Sequence, residues 1–251
     1  MPLSVVIITC DAGTQIEACL ASASFADEIL LVDSGSTDET LAIARRRGAR
    51  ILKKQWLGFG RQKQFAVDSA ANDWVLCLDA DEMISETLKN ALLAELAAPR
   101  AMAYEMARCN RFLGRWLRHG EGYPDWSLRL FHRAHARWSD DSVHEKVIAR
   151  AAPAKLKGDL LHDSAESMDK YLEKQNRYTS LQAAQLLATG KRAGVTRLLF
   201  SPFLRFIKFY FLRLGFLDGL PGLIHVSLGC MNSFNKYAKL MALVSQGRQK
   251  P

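Results

Sequence analysis

Asp79-Ala80-Asp81 follows directly on Trp74-Val75-Leu76-Cys77-Leu78, an apolar run with the composition of a buried strand. On an extended backbone, residues two apart project from one face, so both carboxylates are expected to point together beyond the strand's carboxyl end. Both are ionised at neutral pH and repel unless a cation lies between them. A hard divalent ion such as Mg²⁺ or Mn²⁺ takes oxygen ligands and bridges readily to a diphosphate. The triplet therefore points to a metal–nucleotide site. Acidic triplets are common on protein surfaces, so its weight depends on the elements that position it.

Those elements are legible upstream. Continuous apolar runs predict buried strands at Leu3–Thr9, Asp27–Val32, Ala49–Leu52 and Trp74–Leu78, and helical spacing predicts helices at Thr14–Ala23, Thr40–Arg47, Gln62–Ala71 and Glu86–Ala97. Strands alternating with helices indicate an α/β fold with a parallel, doubly wound sheet, whose ligands bind beyond the carboxyl ends of the strands. Thr9-Cys10-Asp11, Asp33 and the pair Asp79 and Asp81 all fall at such ends. After Pro99 the pattern loosens, with short strands expected at Tyr104–Arg108, Ser127–His132 and Val143–Ile148 and an amphipathic helix at Glu166–Thr189.

In Asp33-Ser34-Gly35-Ser36-Thr37-Asp38, Gly35 permits a tight turn, and Ser36 or Thr37 can cap the following helix. Asp33 caps nothing evident in this pattern. A carboxylate there can accept a hydrogen bond from the N3–H of a uracil ring. Gly58-Phe59-Gly60-Arg61-Gln62-Lys63 precedes a helix, where glycines admit a ligand and Arg61 or Lys63 favours phosphate; a flexible loop with two solvated cations is the plainer reading.

Val5-Val6-Ile7-Ile8-Thr9-Cys10-Asp11, then Val32-Asp33-Ser34-Gly35-Ser36-Thr37-Asp38, then Leu78-Asp79-Ala80-Asp81 resembles, in order and spacing, the family 2 glycosyltransferases, which have the GT-A fold and use nucleotide-sugar donors. A longer set is similar to lipopolysaccharide-core β-1,4-glucosyltransferases that act on an inner-core heptose. It comprises Gly58–Lys63, Arg129-Leu130-Phe131, Val143-His144-Glu145-Lys146 and Gly215-Phe216-Leu217-Asp218-Gly219. Many family members carry Asn where this chain has Asp11, and a second Asp where it has Ser34. The resemblance implies that Thr9, Asp11 and Asp33 hold the nucleoside and that Asp79 faces the ribose or a metal-bound water. It also implies that Asp81 coordinates Mg²⁺ or Mn²⁺ at the diphosphate, and it places Lys63 with the donor-binding residues.

Transfer with inversion needs one carboxylate to take the proton of the attacking sugar hydroxyl, and Glu145 is the first candidate, with Asp140 and Asp141 as rivals. Trp126, Arg129 and the Arg111–Arg118 region combine aromatic faces with guanidinium groups, which suits either an anionic sugar acceptor or a loop packed over the core. His162 follows an apolar run and can approach the diphosphate or metal, although a lone histidine is more often structural. The expected division is a nucleotide-sugar-binding half at 1–98, an acceptor half at 99–189, and a basic tail at 190–251.

The chain has 251 residues and a formal net charge of +8. Residues 190–251 hold ten Lys or Arg against one acid, Asp218, which leaves 24 basic and 25 acidic groups before them. Ser201–Leu214 is expected to be a helix starting at Pro202, with Arg205, Lys208 and Arg213 in a sector of about 140° at ~100° per residue. Phe203, Leu204, Ile207, Phe211 and Leu214 fall on the opposite face, so such a helix suits a membrane interface with its cations toward anionic head groups, and it is too short in uncharged residues to span one. No nucleic-acid recognition motif accompanies the basic tail. The N-terminus carries no basic and cleavable leader, and five scattered cysteines read as reduced thiols; both lead to the expectation of a cytoplasmic protein, peripheral on the inner membrane. A nucleotidyltransferase of similar fold and a non-catalytic sugar- or membrane-binding protein are the alternatives from other classes.

Overall fold

The computed structural model describes residues 1–140, 145–164 and 167–248. Strands β1 (Leu3–Thr9), β2 (Glu28–Asp33), β3 (Arg50–Lys53) and β4 (Trp74–Asp79) are all parallel and lie in the order β3-β2-β1-β4. They are joined through helices α1 (Ile16–Ser22), α2 (Thr40–Arg46) and α3 (Phe59–Asp68). Both faces of β1, β2 and β4 are covered, which is why they read as largely apolar runs, while β3 at the sheet edge keeps Arg50 and Lys53 exposed. Val5, Ile7, Leu31, Leu76 and Leu78 pack with Ile16, Leu20 and Ile43 on one face. Val6, Ile8, Leu30, Val32, Val75 and Cys77 pack with Ala66, Val67, Phe131 and Trp138 on the other.

The sheet then continues with reversed direction. The elements that follow along the chain to residue 162 are β5 (Glu82–Ile84), α4 (Glu86–Ala97), β6 (Ala103–Phe112), β7 (Arg115–Trp116), β8 (Asp125–His132), β9 (Ala136–Trp138), β10 (Val147–Ala149) and β11 (Ala154–His162). β8 runs antiparallel between β4 and β6, β11 is parallel to β6, and β5 is antiparallel to β11. The result is a mixed nine-stranded sheet, with a two-stranded ribbon of β9 and β10 beside it. This is the α/β, GT-A-like architecture expected from the sequence, with parallel pairing concentrated in its first four strands. A bulge in β11 depends on Gly158, whose φ is +98° and whose added Cβ would lie 2.3 Å from the backbone nitrogen of Leu88. That close approach lets Ser85, the N-cap of α4, accept from the backbone N–H of both Asp159 (3.0 Å) and Leu88 (3.3 Å).

Two compact units divide the chain, one of residues 1–110 and 124–163, the other of residues 111–123 and 164–251. The second contains α5 (Met168–Ala188), α6 (Val195–Phe206), a π-helical turn at Ile207–Leu212, a 3₁₀ turn at Gly215–Asp218, and α7 (Gly219–Arg248). α5 belongs with the tail rather than with the residues before it. It buries Thr179 and Ala183, and Lys239 of α7 donates to the Thr179 hydroxyl at 2.8 Å. Asp218, the tail's one acid, is 2% exposed and accepts from the backbone N–H of His119 at 2.8 Å.

The expected helix Ser201–Leu214 is not found in that form. Gly194 sets the N-terminus, so α6 begins at Val195 and Pro202 lies inside it, and widening to a π-turn at Ile207 breaks the spacing of 100° per residue assumed for the basic sector. Glu166, the expected start of α5, lies outside the described residues, and Ser167 caps the helix instead.

Candidate active site

At the carboxyl end of β4, Asp79 stands between two cations. Its Oδ1 is 2.9 Å from Lys63 Nζ and its Oδ2 is 2.9 Å from an Arg129 guanidinium nitrogen. Glu82, 0% exposed, accepts the Asp79 backbone N–H through Oε2 (3.0 Å) and the same Arg129 through Oε1 (2.7 Å). Burial pushes the Asp79 carboxyl up, but Arg129 and Lys63 outweigh it and hold its pKa well below the usual carboxylate range. At Glu82 burial wins over Arg129, and the pKa is raised. The Trp138 ring backs both cations, with Lys63 Nζ 4.7 Å and the Arg129 guanidinium carbon 5.8 Å from its centroid. Its indole N–H donates to Cys77 Sγ at 3.3 Å, which fixes the ring against the strand.

Lys63 also reaches Glu145, whose Oε1 lies 3.3 Å from its Nζ and whose side chain is 20% exposed. The candidate base and the acidic strand end are thus joined through one buried lysine. The rest of the motif, Val143 and His144, and the rival Asp141 lie outside the described residues; Asp140 is exposed.

Asp81 does not share Asp79's surroundings. Extended backbone ends at Asp79, Ala80 and Asp81 form a turn, and the two-residue alternation that would align the carboxylates stops there. The antiparallel pairing of β5 with β11 instead sets Glu82 opposite His162, and Asp81 Oδ2 lies 3.2 Å from His162 Nε2. His162 Nδ1 is 2.7 Å from Asn110 Oδ1, an oxygen that can only accept, so Nδ1 donates to it. With a proton on Nε2 the two side chains form an ion pair; without it, a divalent cation between them would relieve the repulsion of two electron-pair donors. A carboxylate oxygen with an imidazole nitrogen, oriented by an amide behind it, fits a divalent ion, and Mn²⁺ tolerates the nitrogen better than Mg²⁺. Among the described residues no group of three or more His, Cys, Asp or Glu converges on a metal position.

The β1 and β2 ends form a second cluster. Asp33 is 1% exposed and closes its own turn, accepting from the N–H groups of Gly35 and Ser36 (both 3.1 Å) and from the Ser36 hydroxyl (2.5 Å). The expectation that it caps nothing is therefore corrected: its carboxylate is already occupied by an Asx-type turn. Asp11, in the left-handed region at φ 48°, accepts the Thr37 N–H at 2.7 Å and ties the β1 loop to the β2 loop. Gln62, fully buried, donates to Ser34 Oγ (3.1 Å) and latches the Gly58 loop to the same turn. Thr9 pairs in register with Asp33, and its buried hydroxyl has no hydrogen-bond partner in the protein.

Two expected ligand contacts take a different form. Arg129 is 5% exposed with its guanidinium between Asp79 and Glu82, so the acceptor role expected for it is corrected to one inside the protein. Its burial follows from β8 entering the sheet beside β4. Lys63, expected at a phosphate, is 5% exposed and faces Asp79 and Glu145. Trp126 is 40% exposed, and its ring carries Lys155 Nζ at 4.2 Å. Sequence reasoning passed over Glu82, Trp138 and Asn110. Only Glu82 left a trace, as a third acid immediately after the acidic triplet.

Residues 4–152 match the model of glycosyl transferase family 2. The lipopolysaccharide core biosynthesis glycosyltransferase LpsC of Rhizobium meliloti (strain 1021) is 31% identical over 96% of this chain and 92% of its own length. An uncharacterized glycosyltransferase of Rickettsia typhi is 29% identical over 98% of this chain and 89% of its own. Among solved structures, glucosyl-3-phosphoglycerate synthase from Mycobacterium tuberculosis, in complex with Mn²⁺, UDP and glucosyl-3-phosphoglycerate, is similar over 44% of each chain, at 23% identity and a TM-score of 0.37. With more than half of its length matching the family model and a relative alike from end to end, the chain belongs to glycosyl transferase family 2 and is a glycosyltransferase.

Proposed function

We propose that this enzyme moves a hexose, glucose by resemblance, from a UDP-sugar to a lipid-linked saccharide, the heptose of a lipopolysaccharide inner core, with inversion at the anomeric carbon. The observation that carries the donor half is the facing of Asp81 Oδ2 and His162 Nε2 at 3.2 Å. These two side chains would hold Mg²⁺ or Mn²⁺, with Asn110 fixing the imidazole. When bound, the ion supplies charge neutralisation at the departing diphosphate. Asp11 and Asp33 shape the turns against which a nucleoside would lie.

Glu145 takes the proton of the acceptor hydroxyl as its oxygen bonds to the anomeric carbon and the bond to UDP breaks; the proton stays on the carboxylate and UDP leaves. Lys63 orients that carboxylate and links it to Asp79. Trp126 offers an exposed aromatic face for a sugar acceptor. The lipopolysaccharide core role in the name of the Rhizobium relative supports this acceptor class. Five free cysteines suit a reducing compartment, and we place the enzyme in the cytoplasm where UDP-sugars are made.

The test is product analysis with UDP-α-glucose and a core lipid ending in heptose. The expected product carries one added hexose in β linkage, read from its anomeric proton coupling. An α-linked product would overturn inversion, and transfer only from another nucleotide sugar would overturn the donor.

A further inference from the structure

We propose that the α6–α7 region docks in one leaflet of an anionic lipid bilayer by an apolar face, not by a basic one. The inference stands on the second compact unit alone and does not depend on the donor or acceptor assigned above.

α6 is built inside out for a helix facing water. At about 100° per residue, Val195, Leu199, Phe200, Phe203 and Leu204 share one half of its circumference. They are 61, 57, 57, 60 and 60% exposed. Two of its polar side chains turn inward, while Thr196 and Arg197 stay exposed: Ser201 Oγ lies 2.8 Å from Ser233 Oγ of α7, and Arg205 Nε donates to Glu121 Oε2 at 3.0 Å. The exposed apolar surface continues through the break, with Leu212 at 75%, Leu217 at 47% and Leu220 at 67%. Further along α7, Met231 and Phe234 return to the side of Leu220, and they are 56 and 41% exposed. Large, contiguous exposure of Phe and Leu in a folded protein marks an interaction surface.

Charge names the occupant. Lys191, Arg192, Arg197, Lys208 and Arg213 are exposed around this surface, and Asp218, the one acid after residue 189, is buried at 2%. An apolar face rimmed by cations and free of exposed carboxylates matches an anionic headgroup layer over acyl chains. A second copy of the same surface would bring those cations against each other.

Geometry limits the depth. Among the described residues no single helix is long and apolar enough to cross a membrane, and Val195–Leu212 meets Gly215–Gln246 at a bend of 72°. The π-turn and Leu214, in the left-handed region at φ 55°, make that bend. A pair bent so sharply suits insertion in one leaflet.

Flotation with vesicles tests this on the full chain, without donor or acceptor. The protein is expected to float with phosphatidylcholine vesicles containing phosphatidylglycerol and to remain partly bound in high salt, where purely ionic attachment is lost. The combined variant Phe200→Glu, Phe203→Glu, Leu212→Glu should lose at least about tenfold in partitioning while its circular dichroism is unchanged. Leu212→Trp should be quenched by brominated acyl chains. Equal flotation of the triple variant, complete release by salt, or an unquenched Leu212→Trp would overturn insertion. A dimer in vesicle-free solution that the triple variant abolishes, without flotation of the parent chain, would assign the face to a second copy instead.

Discussion

Arg129→Met should lower unfolding free energy by about 3–5 kcal/mol, the range for removing one partner of a buried ion pair. Arg129 is the cation that Asp79 and Glu82 share, and Glu82 has only Arg108, at 3.8 Å, as a second one. The wild-type Glu82 pKa is already raised, chiefly by burial, and without Arg129 it should rise further. A carboxyl whose folded pKa lies above its unfolded value adds stability that is complete at low pH and lost as pH rises. The variant's deficit should therefore be larger at about pH 8 than at about pH 5. Adding Glu82→Gln, which keeps an acceptor for the Asp79 N–H, should recover part of the loss at the higher pH. Urea denaturation at the two pH values measures all of this. A deficit under about 1 kcal/mol, the range of a surface pair, would show that the network carries no buried charge.

Glu145→Gln should reduce kcat by about 10²- to 10⁴-fold, the usual contribution of a positioned general base. The amide has the same size but cannot take a proton. The side chain makes one ion pair at 3.3 Å and is 20% exposed, so the fold should survive its loss. Donor binding should also survive, because Asp81 and His162 lie elsewhere in the sheet, on β5's flank and at the end of β11. Steady-state rates beside thermal shift with UDP-glucose separate the two effects. Turnover within a few-fold of the wild type would remove Glu145 from the mechanism and pass the role to Asp140 or Asp141.

β1, β2 and β4 were readable because both their faces are buried, which makes most positions from Leu3 to Thr9 and all from Trp74 to Leu78 apolar. The polar groups at their carboxyl ends followed from topology. What was not readable depends on pairing between distant segments. Nothing local to Arg129 shows that β8 carries it into the sheet beside Asp79, so an arginine near a tryptophan passed for a surface contact. Asp81 meets His162 because β5 pairs with β11 across some eighty residues of chain, a register the sequence does not display. The Asp33 turn was misread for a smaller reason: its carboxylate accepts from backbone N–H groups, which any sequence supplies. In the tail the apolar periodicity was visible, with Phe203, Leu204 and Phe211 expected opposite the cations. Pro202 passed for a helix start although Gly194 sets it.

The central claim is a metal-dependent donor site made by Asp81 and His162, and calorimetric titration with UDP-glucose, with and without Mn²⁺, tests it most directly. The account predicts binding that requires Mn²⁺, is lost in Asp81→Ala, and has its metal affinity weakened about 10- to 100-fold in Asn110→Ala, where only the residue behind the imidazole is removed. Binding that is equal with and without Mn²⁺ and unchanged by Asp81→Ala, in proteins shown to be folded, would contradict it.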